Sequence, residues 1–406
     1  MLLSYGMVDM DPHRHASLKT KPLFRAKPLI TDSHRESGEL VVSFCMPCYN
    51  GVAHLREAVA SVLLQSIDKY ELIIVDDAST DGTFELACEL ASQDDRIHVY
   101  LNVQNLGIVP NWNRCLELAR GEWIKFIFQD DLLDPDCTAQ LLDAARRQHC
   151  NFAFCEREIL LEEGVDPQVS AFFQHNLLRF GDLFPDRVYV PAHELGRGFI
   201  AHLGQNFLGE PTSVLIHRSC IFRYGSFNPQ LVHLCDLEYW IRMGCQEGLI
   251  YLPERLASFR VHPSGATSAS LQSVHKKFRR LILDYVILYA SFLLDPAYRP
   301  FRQSSSDAKW IIYGSFLSAL RRKDAFLGQV EDPVTVAALT STWKQTLSAN
   351  PGIIWLQNRE PLYRRVLRRL GLTRRLTGYS WLSQEEPAIE YKTIMENTVK
   401  FESQPT

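Results

Sequence analysis

Short apolar runs alternate with stretches of helical periodicity between Leu40 and about Cys155. The apolar runs predict four strands, over residues 40–46, 70–75, 97–101 and 123–128. Apolar residues spaced three and four apart predict helices between them, over residues 52–65, 83–91 and 108–119. Strands that alternate with helices typically form a parallel sheet. This part of the chain is therefore predicted to be an α/β unit.

The pattern changes after residue 150. Residues 151–263 are irregular and Gly-rich, with short apolar runs and a helix-like stretch over 237–243, and the pattern is helical from 273 to about 347. The longest apolar stretch, residues 281–294, is interrupted by Asp284 and is shorter than a bilayer-spanning helix, so it predicts a buried core helix. A length of 406 residues favours more than one domain.

An amphipathic helix is predicted near the C-terminus, over residues 361–371. One face carries Leu362, Tyr363, Val366, Leu367 and Leu370, and the other carries four arginines. A basic amphipathic helix favours an anionic membrane surface or an anionic lipid acceptor. The alternative is a docked C-terminal helix with a solvated basic face.

The composition is that of an ordinary globular protein. Hydrophobic residues make up 46% of the chain and charged residues 22%, with a formal net charge of -4, which gives no sign of disorder or of nucleic-acid binding. The ten cysteines are scattered through apolar stretches and are interpreted as free thiols in a reducing cytoplasm. The polar, His-rich N-terminus lacks the pattern of a secretory signal.

Two pairs of adjacent carboxylates follow predicted strands. Asp76-Asp77 and Asp130-Asp131 stand where open α/β sheets bind ligands, at the carboxyl ends of the strands. Oxygen ligands suit Mg²⁺ or Mn²⁺, which bridge carboxylates to substrate phosphates. Either pair alone is equally consistent with a turn or a helix cap. The presence of both pairs favours their convergence on one ligand-binding cleft.

The motifs around these acids carry a resemblance to a known family. They read Pro47-Cys48-Tyr49-Asn50, Val75-Asp76-Asp77-Ala78-Ser79-Thr80-Asp81-Gly82-Thr83, Asn105-Leu106-Gly107 and Gln129-Asp130-Asp131. In this order the motifs resemble the nucleotide-binding half of the family 2 glycosyltransferases, densely from about residue 40 to 136.

The resemblance implies a GT-A-like fold: a mixed, mainly parallel sheet flanked by helices, with a C-terminal helical annex. We expect a flexible leader over residues 1–38, a nucleotide-sugar-binding half over 39–150, an acceptor-binding and catalytic half over 151–270 and a helical region over 271–406.

The resemblance also implies site residues. The donor would contact Pro47, Tyr49, Asn50, Asp76, Asp77, Asn105, Gly107, Asp130 and Arg260, with Asp77 supporting its loop. Asp130, Asp131 and His262 would hold a Mn²⁺ or Mg²⁺ ion. This chain departs from the family's usual Asp-x-Asp, because Phe128 stands where the first acid is expected.

A further segment resembles the family's catalytic base. Residues 235–242 follow the pattern of an acidic segment that presents the base at a helix start, and Asp236 is the candidate. The alternative for Asp236 is a plain helix cap. Glu238 is expected to cap or orient.

The implied function is transfer of a single sugar, with inversion, from a nucleotide-diphosphate sugar to a glycan or lipid-linked acceptor in bacterial surface-polysaccharide or glycoconjugate synthesis. We expect a cytoplasmic enzyme, with peripheral contact to the inner membrane through residues 361–371 and no nucleic-acid partner. The alternative is a degenerate protein that binds a nucleotide sugar or a glycan without turnover. A dinucleotide oxidoreductase is disfavoured, because Pro47-Cys48-Tyr49-Asn50-Gly51 replaces the Gly-rich turn.

Overall fold

A computed structural model describes residues 40–270 and 273–358. The chain divides into two compact units, one ending at Asn350 and the other beginning at Pro351. In the second unit the described part is one helix. The predicted leader over 1–38 and the amphipathic helix over 361–371 lie outside the described residues, and the predicted domain boundaries stay predictions.

The N-terminal half alternates strands and helices as the sequence predicts. Its elements are β1 (Val42–Cys48), α1 (Val52–Leu63), β2 (Tyr70–Asp76), α2 (Thr83–Ala91), β3 (Ile97–Leu101), α3 (Ile108–Leu118) and β4 (Trp123–Phe126). Every residue of β1 and β2 is buried, as expected for central strands covered on both faces. The β4 strand ends two residues earlier than predicted, because the N–H of Asp131 donates to the carbonyl of Phe128 and closes a turn.

The following half has more strands than the sequence predicted. Its elements are β5 (Leu132–Leu133), α4 (Cys137–Arg147), β6 (Phe152–Leu161), α5 (Pro167–Ala171), α6 (Phe180–Leu183), β7 (Tyr189–Val190), α7 (Ala192–Ala201), β8 (Val214–His217), α8 (Arg218–Tyr224), α9 (Cys235–Glu247) and β9 (Leu249–Val261). A π-helical turn follows α5 at Phe172–Asn176, and a 3₁₀ turn at Pro211–Ser213 precedes β8.

The irregular pattern expected over 151–263 is therefore wrong for β6 and β9, the two longest strands described, at 10 and 13 residues. These strands pair in parallel with a register shift on each side of Glu156, whose partner is Arg255, and the shifts leave Pro253, Glu254 and Leu256 of β9 outside the pairing. A proline and charged residues inside a strand hide its apolar pattern and are tolerated at such a bulge.

The nine strands form one mixed sheet. Its order is β3-β2-β1-β4-β8-β6-β9-β5, with β7 also paired to β9. The pairings β1–β2, β1–β4, β2–β3 and β6–β9 are parallel, and the other four are antiparallel. The expected GT-A-like mixed sheet flanked by helices is confirmed. Its parallel part is concentrated in the N-terminal half, where Cys48 of β1 lies beside Asp76 of β2.

Where the structure describes it, over residues 273–358, the C-terminal region is helical, as predicted. Its elements are α10 (Ala266–Ala269), α11 (Val274–Phe278), a π-helical turn (Arg279–Leu283), α12 (Asp284–Leu294), a 3₁₀ turn (Pro296–Tyr298), α13 (Arg299–Gln303), α14 (Ala308–Gln329), α15 (Pro333–Ala349) and, in the second unit, α16 (Pro351–Asn358).

The α12 helix is the buried core helix that the apolar stretch predicted. Its Asp284 is fully buried and accepts hydrogen bonds from the N–H groups of Val232 (3.0 Å) and His233 (2.6 Å). An ion pair with Arg279 at 2.9 Å offsets the buried charge. The charge that interrupts the apolar stretch thus connects α12 to the loop before α9.

Within the described residues, no single helix has both the length and the apolarity needed to cross a bilayer, although Val274–Leu294 and Pro296–Gln303, bent by 77°, reach that threshold as a pair.

Of the two roles expected for Glu238 of α9, to cap or to orient, the structure excludes capping. This residue makes no helix cap; its fully buried carboxylate accepts from Nε (2.7 Å) and Nη2 (3.0 Å) of Arg242 and from the hydroxyl of Tyr298. The expectation that Glu238 caps the helix is therefore wrong. The ion pair with Arg242 lies within α9, and the hydrogen bond from Tyr298 joins α9 to the turn before α13.

We predict that Glu238→Ala lowers the free energy of unfolding by about 3–5 kcal/mol, because the substitution leaves a buried guanidinium without its partner. Urea denaturation followed by circular dichroism measures the loss. Glu158→Ala is the matched control: it breaks an ion pair with Arg255 whose side chains are 47% and 56% exposed, and it should cost less than about 1 kcal/mol. Equal losses in the two variants would contradict the prediction.

Candidate functional site

The carboxyl end of β2 presents a buried acid with an unsatisfied oxygen. Oδ1 of Asp76 accepts from the N–H of Ser79 at 2.8 Å. Oδ2 is buried and has no hydrogen-bond partner among the described residues. An unpaired buried carboxylate oxygen carries a desolvation cost that a donor on a ligand would remove. Asp76 therefore has the geometry expected of a donor-binding residue.

The loop after β1 is held against this acid. Pro47 is the penultimate residue of β1, and Asn50 has a φ of +50°, which asparagine tolerates better than most residues. The N–H of Asn50 donates to Oγ of Ser79, and Oδ1 of Asn50 accepts from the N–H of Thr80, both at 2.9 Å. The ring of Tyr49 is 47% exposed. The predicted residues Tyr49, Asn50 and Asp76 thus share one pair of interlocked loops.

Asp77 supports the neighbouring loop. Its carboxylate accepts from Nδ2 of Asn102 (2.8 Å) and from the N–H groups of Leu106 (2.8 Å) and Gly107 (2.9 Å). Gly107 has a φ of +89°, which glycine adopts without strain. The predicted Asn105 is exposed in this loop. Both oxygens of Asp77 are used inside the protein, so its contribution to a donor site is to position residues 105–107.

Gln129 is a site residue that sequence reasoning missed. Its side-chain amide accepts from the N–H of Tyr49 (2.8 Å) and donates to the carbonyl of Tyr49 (3.1 Å). A Cβ at Gly51 would lie 2.1 Å from Cδ of Gln129, so this position requires glycine. Gln129 joins the loop after β1 to the turn that carries Asp130. No sequence signal could have paired residues 49 and 129.

The turn after β4 meets the end of β9. Oδ2 of Asp130 lies 2.9 Å from Nε2 of His262, and the carbonyl of Asp130 accepts from Nε of Arg260 at 2.8 Å. The side chains of Asp130 and His262 are 20% and 10% exposed. A carboxylate oxygen and an imidazole nitrogen at this distance are suitable ligands for Mn²⁺. The structure therefore brings together two of the three predicted metal ligands.

Asp131, the third predicted ligand, is engaged elsewhere. It is fully buried; Oδ1 accepts from the N–H of Arg260 at 3.0 Å and Oδ2 accepts from the hydroxyl of Thr212. Burial and the charge of Asp130 raise the pKa of Asp131 well above its ordinary value. Both oxygens already have protein donors, so Asp131 supports the turn, whereas Asp130 faces His262; the metal-ligand role expected of Asp131 stays a prediction.

Phe128 stands where the first acid of the family motif is expected. Its ring lies 4.8 Å from that of Trp112, in a tilted arrangement. Aromatic pairs at this separation are stabilising beyond the area they bury. The substitution thus replaces a charge by an aromatic contact with α3.

The guanidinium of Arg260 contacts three parts of the protein. Besides the carbonyl of Asp130, its guanidinium contacts Oε1 of Glu162 through Nη1 (3.1 Å) and Oε2 of Glu57 through Nη2 (2.7 Å). Its predicted contact with the donor stays a prediction. In the described structure Arg260 joins α1, β6 and the turn after β4.

Asp236 lies in the first turn of α9. Oδ2 accepts from Nδ2 of Asn206 (2.8 Å), and Oδ1 accepts from the N–H of Leu237 (2.7 Å). Burial, assisted by the charge of Glu210, raises the pKa of Asp236 to about 7. Leu234, not Asp236, is the cap residue of the helix. A carboxyl group that titrates near neutrality is suited to general base catalysis.

A short segment connects Asp236 with the turn after β4. Gly209 has a φ of +92°, and a Cβ there would lie 2.2 Å from Cζ of Arg157. Glu210 forms an ion pair with the buried Arg157 at 2.5 Å. Two residues later, Thr212 binds Asp131 and its carbonyl accepts from the buried Lys125. Residues 209–213 therefore tie the environment of Asp236 to that of Asp130 and Asp131.

Comparison with known families agrees with the motifs. Residues 43–194 match the family model described as Glycosyl transferase family 2. The matched range begins in β1 and ends in α7, and it contains Asp76, Asp130 and Asp131.

Several bacterial proteins are similar in sequence. The uncharacterized protein MT1568 of Mycobacterium tuberculosis is 29% identical over 67% of this chain and 81% of its own length. TuaG of Bacillus subtilis, provisionally assigned as a teichuronic acid biosynthesis glycosyltransferase, is 35% identical over 31% of this chain and 50% of its own length. An uncharacterized glycosyltransferase of Haemophilus influenzae is 32% identical over 29% of this chain and 49% of its own length. The chain thus spans about half the length of the last two proteins.

Solved structures with a similar fold are more remote. TarS residues 1–349 of S. aureus, in complex with UDP-GlcNAc, align with a TM-score of 0.49 at 16% identity, over 78% of this chain and 89% of that chain. The mannosyltransferase PcManGT of Pyrobaculum calidifontis, in complex with GDP-Man and Mn²⁺, aligns with a TM-score of 0.48 at 17% identity, over 79% and 84%. None of the residue roles depends on these two likenesses.

We predict that Thr212→Val lowers the free energy of unfolding by about 1–3 kcal/mol, because the buried carboxyl of Asp131 loses a hydrogen-bond donor while the side-chain shape is kept. Urea denaturation measures the change. Thr212→Ser, which keeps the hydroxyl, should retain most of the stability. If the valine variant were as stable as the serine variant, the Asp131 contact would not support the turn.

Proposed function

Since residues 43–194 match the model of glycosyl transferase family 2, we propose that the chain transfers a single sugar from a nucleotide-diphosphate sugar to an acceptor hydroxyl with inversion at the anomeric carbon. The observation that carries this proposal is Asp236, a carboxyl group held by Asn206 with a pKa raised to about 7. A base near neutrality is what a hydroxyl nucleophile requires.

The donor is proposed to bind at the ends of β1 and β2. The unpaired Oδ2 of Asp76 would accept a hydrogen bond from the nucleoside, and the exposed ring of Tyr49 would lie beside it. Asn50 shapes the loop through Ser79 and Thr80. Asp77 fixes residues 105–107 near the same edge. This arrangement supports a nucleotide but does not select the base or the sugar.

A divalent cation is proposed to bind at Asp130 and His262. Their oxygen and nitrogen lie 2.9 Å apart and are partly exposed, which fits Mn²⁺ or Mg²⁺ as the ion. Such a cation, when bound, offsets the charge that develops on a diphosphate leaving group. Asp131 keeps the turn in place through Arg260 and Thr212.

Asp236 is proposed to act as the catalytic base. Its carboxylate would take the proton of the acceptor hydroxyl as the hydroxyl oxygen attacks the anomeric carbon and the bond to the nucleotide diphosphate breaks. Asn206 donates to Oδ2 and keeps the carboxylate oriented. A single displacement of this kind inverts the anomeric centre.

The cellular context is proposed from the relatives. The provisional assignment of TuaG to teichuronic acid biosynthesis supports a role in bacterial surface-polysaccharide or glycoconjugate synthesis, with a glycan or lipid-linked acceptor. The hexosyltransferase-like activity would be cytoplasmic, with peripheral contact to the inner membrane through the basic segment 361–371, and would involve no nucleic acid.

The donor site is tested by thermal unfolding of the full chain with a panel of nucleotide-diphosphate sugars, with and without Mn²⁺. We expect one nucleotide class to raise the melting temperature, and to do so more strongly with Mn²⁺. Asp76→Asn should remove most of this shift, because Oδ2 no longer accepts from the nucleoside. Slow, metal-dependent release of nucleotide diphosphate distinguishes the enzyme from a protein that binds the donor without turnover. If no nucleotide sugar changed the melting temperature or was cleaved, the proposed function would be wrong.

We predict that the transfer rate rises with pH through about 7, because the raised pKa leaves Asp236 protonated and inactive at lower pH. Asp236→Asn should retain donor binding and lose about 10²- to 10⁴-fold in transfer rate. Two substitutions should move the midpoint of the pH profile in opposite directions. Glu210→Gln removes a neighbouring negative charge and should lower it, whereas Asn206→Ala removes a donor to the carboxylate and should raise it.

Initial rates measured from pH 5 to pH 9 at saturating donor would give these midpoints. If the wild type, Glu210→Gln and Asn206→Ala had the same pH profile, or if Asp236→Asn transferred the sugar at the full rate, Asp236 would be excluded as the base.

A further inference from the structure

Three potential metal ligands from distant parts of the chain lie close together beside the proposed cation site. His54 is in the first turn of α1, Glu162 follows β6 and His262 follows β9. One nitrogen of each imidazole and one oxygen of Glu162 all lie within 4.8 Å of one another. We call these three residues the His54 cluster. His54 and Glu162 have no part in the donor or base chemistry described above.

The contacts within the His54 cluster are those of side chains that face one another. Nε2 of His54 is 3.6 Å from Oε1 of Glu162, and the two imidazole rings have centroids 4.9 Å apart at an angle of 69°. Ligands bound about 2.0–2.2 Å from one cation are necessarily within about 4.4 Å of each other. Small side-chain movements would therefore bring all three onto a common ion.

The backbone fixes two of the three ligands. Leu161 of β6 is the parallel partner of Val261 of β9, and the N–H of Glu162 donates to the carbonyl of Val261 at 3.0 Å. This register places residues 162 and 262 side by side where the two strands end. Ser264 contacts Nδ1 of His262 at 3.0 Å, and Ser268 donates to the carbonyl of His262 at 2.8 Å. The His262 ring is thus held in place before any ion binds.

The local charge favours a dication. Arg260 is the nearest cation, and its guanidinium contacts Glu162 and Glu57. Asp130 adds a third carboxylate through its contact with His262. Three carboxylates against one guanidinium leave two negative charges uncompensated when the imidazoles are uncharged. A divalent ion would neutralise them.

We propose that His54 and Glu162, together with His262, complete a divalent-cation site that adjoins Asp130, and that its two imidazoles favour transition-metal dications such as Mn²⁺ or Zn²⁺ over Mg²⁺. Imidazole nitrogen suits first-row transition metals, whereas Mg²⁺ prefers oxygen ligands. This inference rests on the proposed function, because it names the ion class of the same donor site. It also predicts that the ion binds without the nucleotide sugar.

The test is titration of the full chain with Mn²⁺ alone, in which the electron paramagnetic resonance signal of free Mn²⁺ reports binding. We expect one bound Mn²⁺ per chain, displaced by Zn²⁺ at lower concentration than by Mg²⁺. His54→Ala and Glu162→Gln should each weaken Mn²⁺ binding by about tenfold or more, the scale seen for residues that tune a metal site.

Glu57→Gln is the matched control. Glu57 also pairs with Arg260, but its side chain is 58% exposed and lies outside the His54 cluster, so solvent screens its charge and Mn²⁺ binding should weaken much less than in the cluster variants. Unchanged melting temperatures would show that the variants remain folded, and Glu162→Gln preserves side-chain shape if His54→Ala does not fold. Wild-type Mn²⁺ affinity in both cluster variants, or equal displacement by Mg²⁺ and Zn²⁺, would overturn the inference.

Donor cleavage separates this inference from the proposed function. If wild-type protein cleaves a nucleotide sugar but the cluster variants bind Mn²⁺ normally, the inference fails and the function stands. If Mn²⁺ binding depends on the cluster but no nucleotide sugar is bound or cleaved, the cation site stands and the function fails.

Discussion

The hydrogen bond from the backbone N–H of Arg260 to the buried carboxylate of Asp131 is the contact on which the site depends most. It holds the end of β9 against the turn after β4. The two residues are 129 positions apart in the sequence. Through this hydrogen bond Asp130 meets His262, and through Thr212 the same carboxylate holds the segment that precedes β8. A buried acid with protein donors on both oxygens is costly to disturb, so the turn has one well-defined position.

At the end of β2, the adjacent acids Asp76 and Asp77 differ in how many of their oxygens are hydrogen-bonded. Asp77 has all of its oxygens bound by the adjacent loop, whereas Asp76 retains a buried oxygen without a partner. Adjacent acids thus have separate roles, one in holding the loop and one left for a ligand. Gln129 then links the loop of Tyr49 to Asp130, so the residues proposed to contact the nucleotide and those proposed to hold the cation belong to one connected set of hydrogen bonds. Such pre-organisation lowers the conformational entropy that the protein loops would lose when a donor binds.

The surroundings of Asp236 combine opposing charges. Arg157 is buried between Glu156 and Glu210, and Glu210 acts on Asp236 through its negative charge. Burial and Glu210 disfavour the charged form of Asp236, while the N–H of Leu237 and the charge of Arg157 favour it. The opposing effects leave the pKa of Asp236 at about 7. Gly209 is essential to this arrangement because a side chain there would occupy the space of the Arg157 guanidinium.

The sequence by itself determined the features that depend on neighbouring residues: the bounds of α2 and β3, the acids at the ends of β2 and β4, and the buried helix that contains Asp284. These follow from local spacing, because side-chain periodicity and strand ends are encoded within a few residues. Only the tertiary structure decided the pairing of β6 with β9, which Pro253 and adjacent charges concealed, and the partners of Glu238, Gln129 and Asp131. It also decided that His54 and Glu162 lie beside His262. The physical reason is that strand register and long-range hydrogen bonds join residues far apart in sequence, and no local pattern specifies which residues meet.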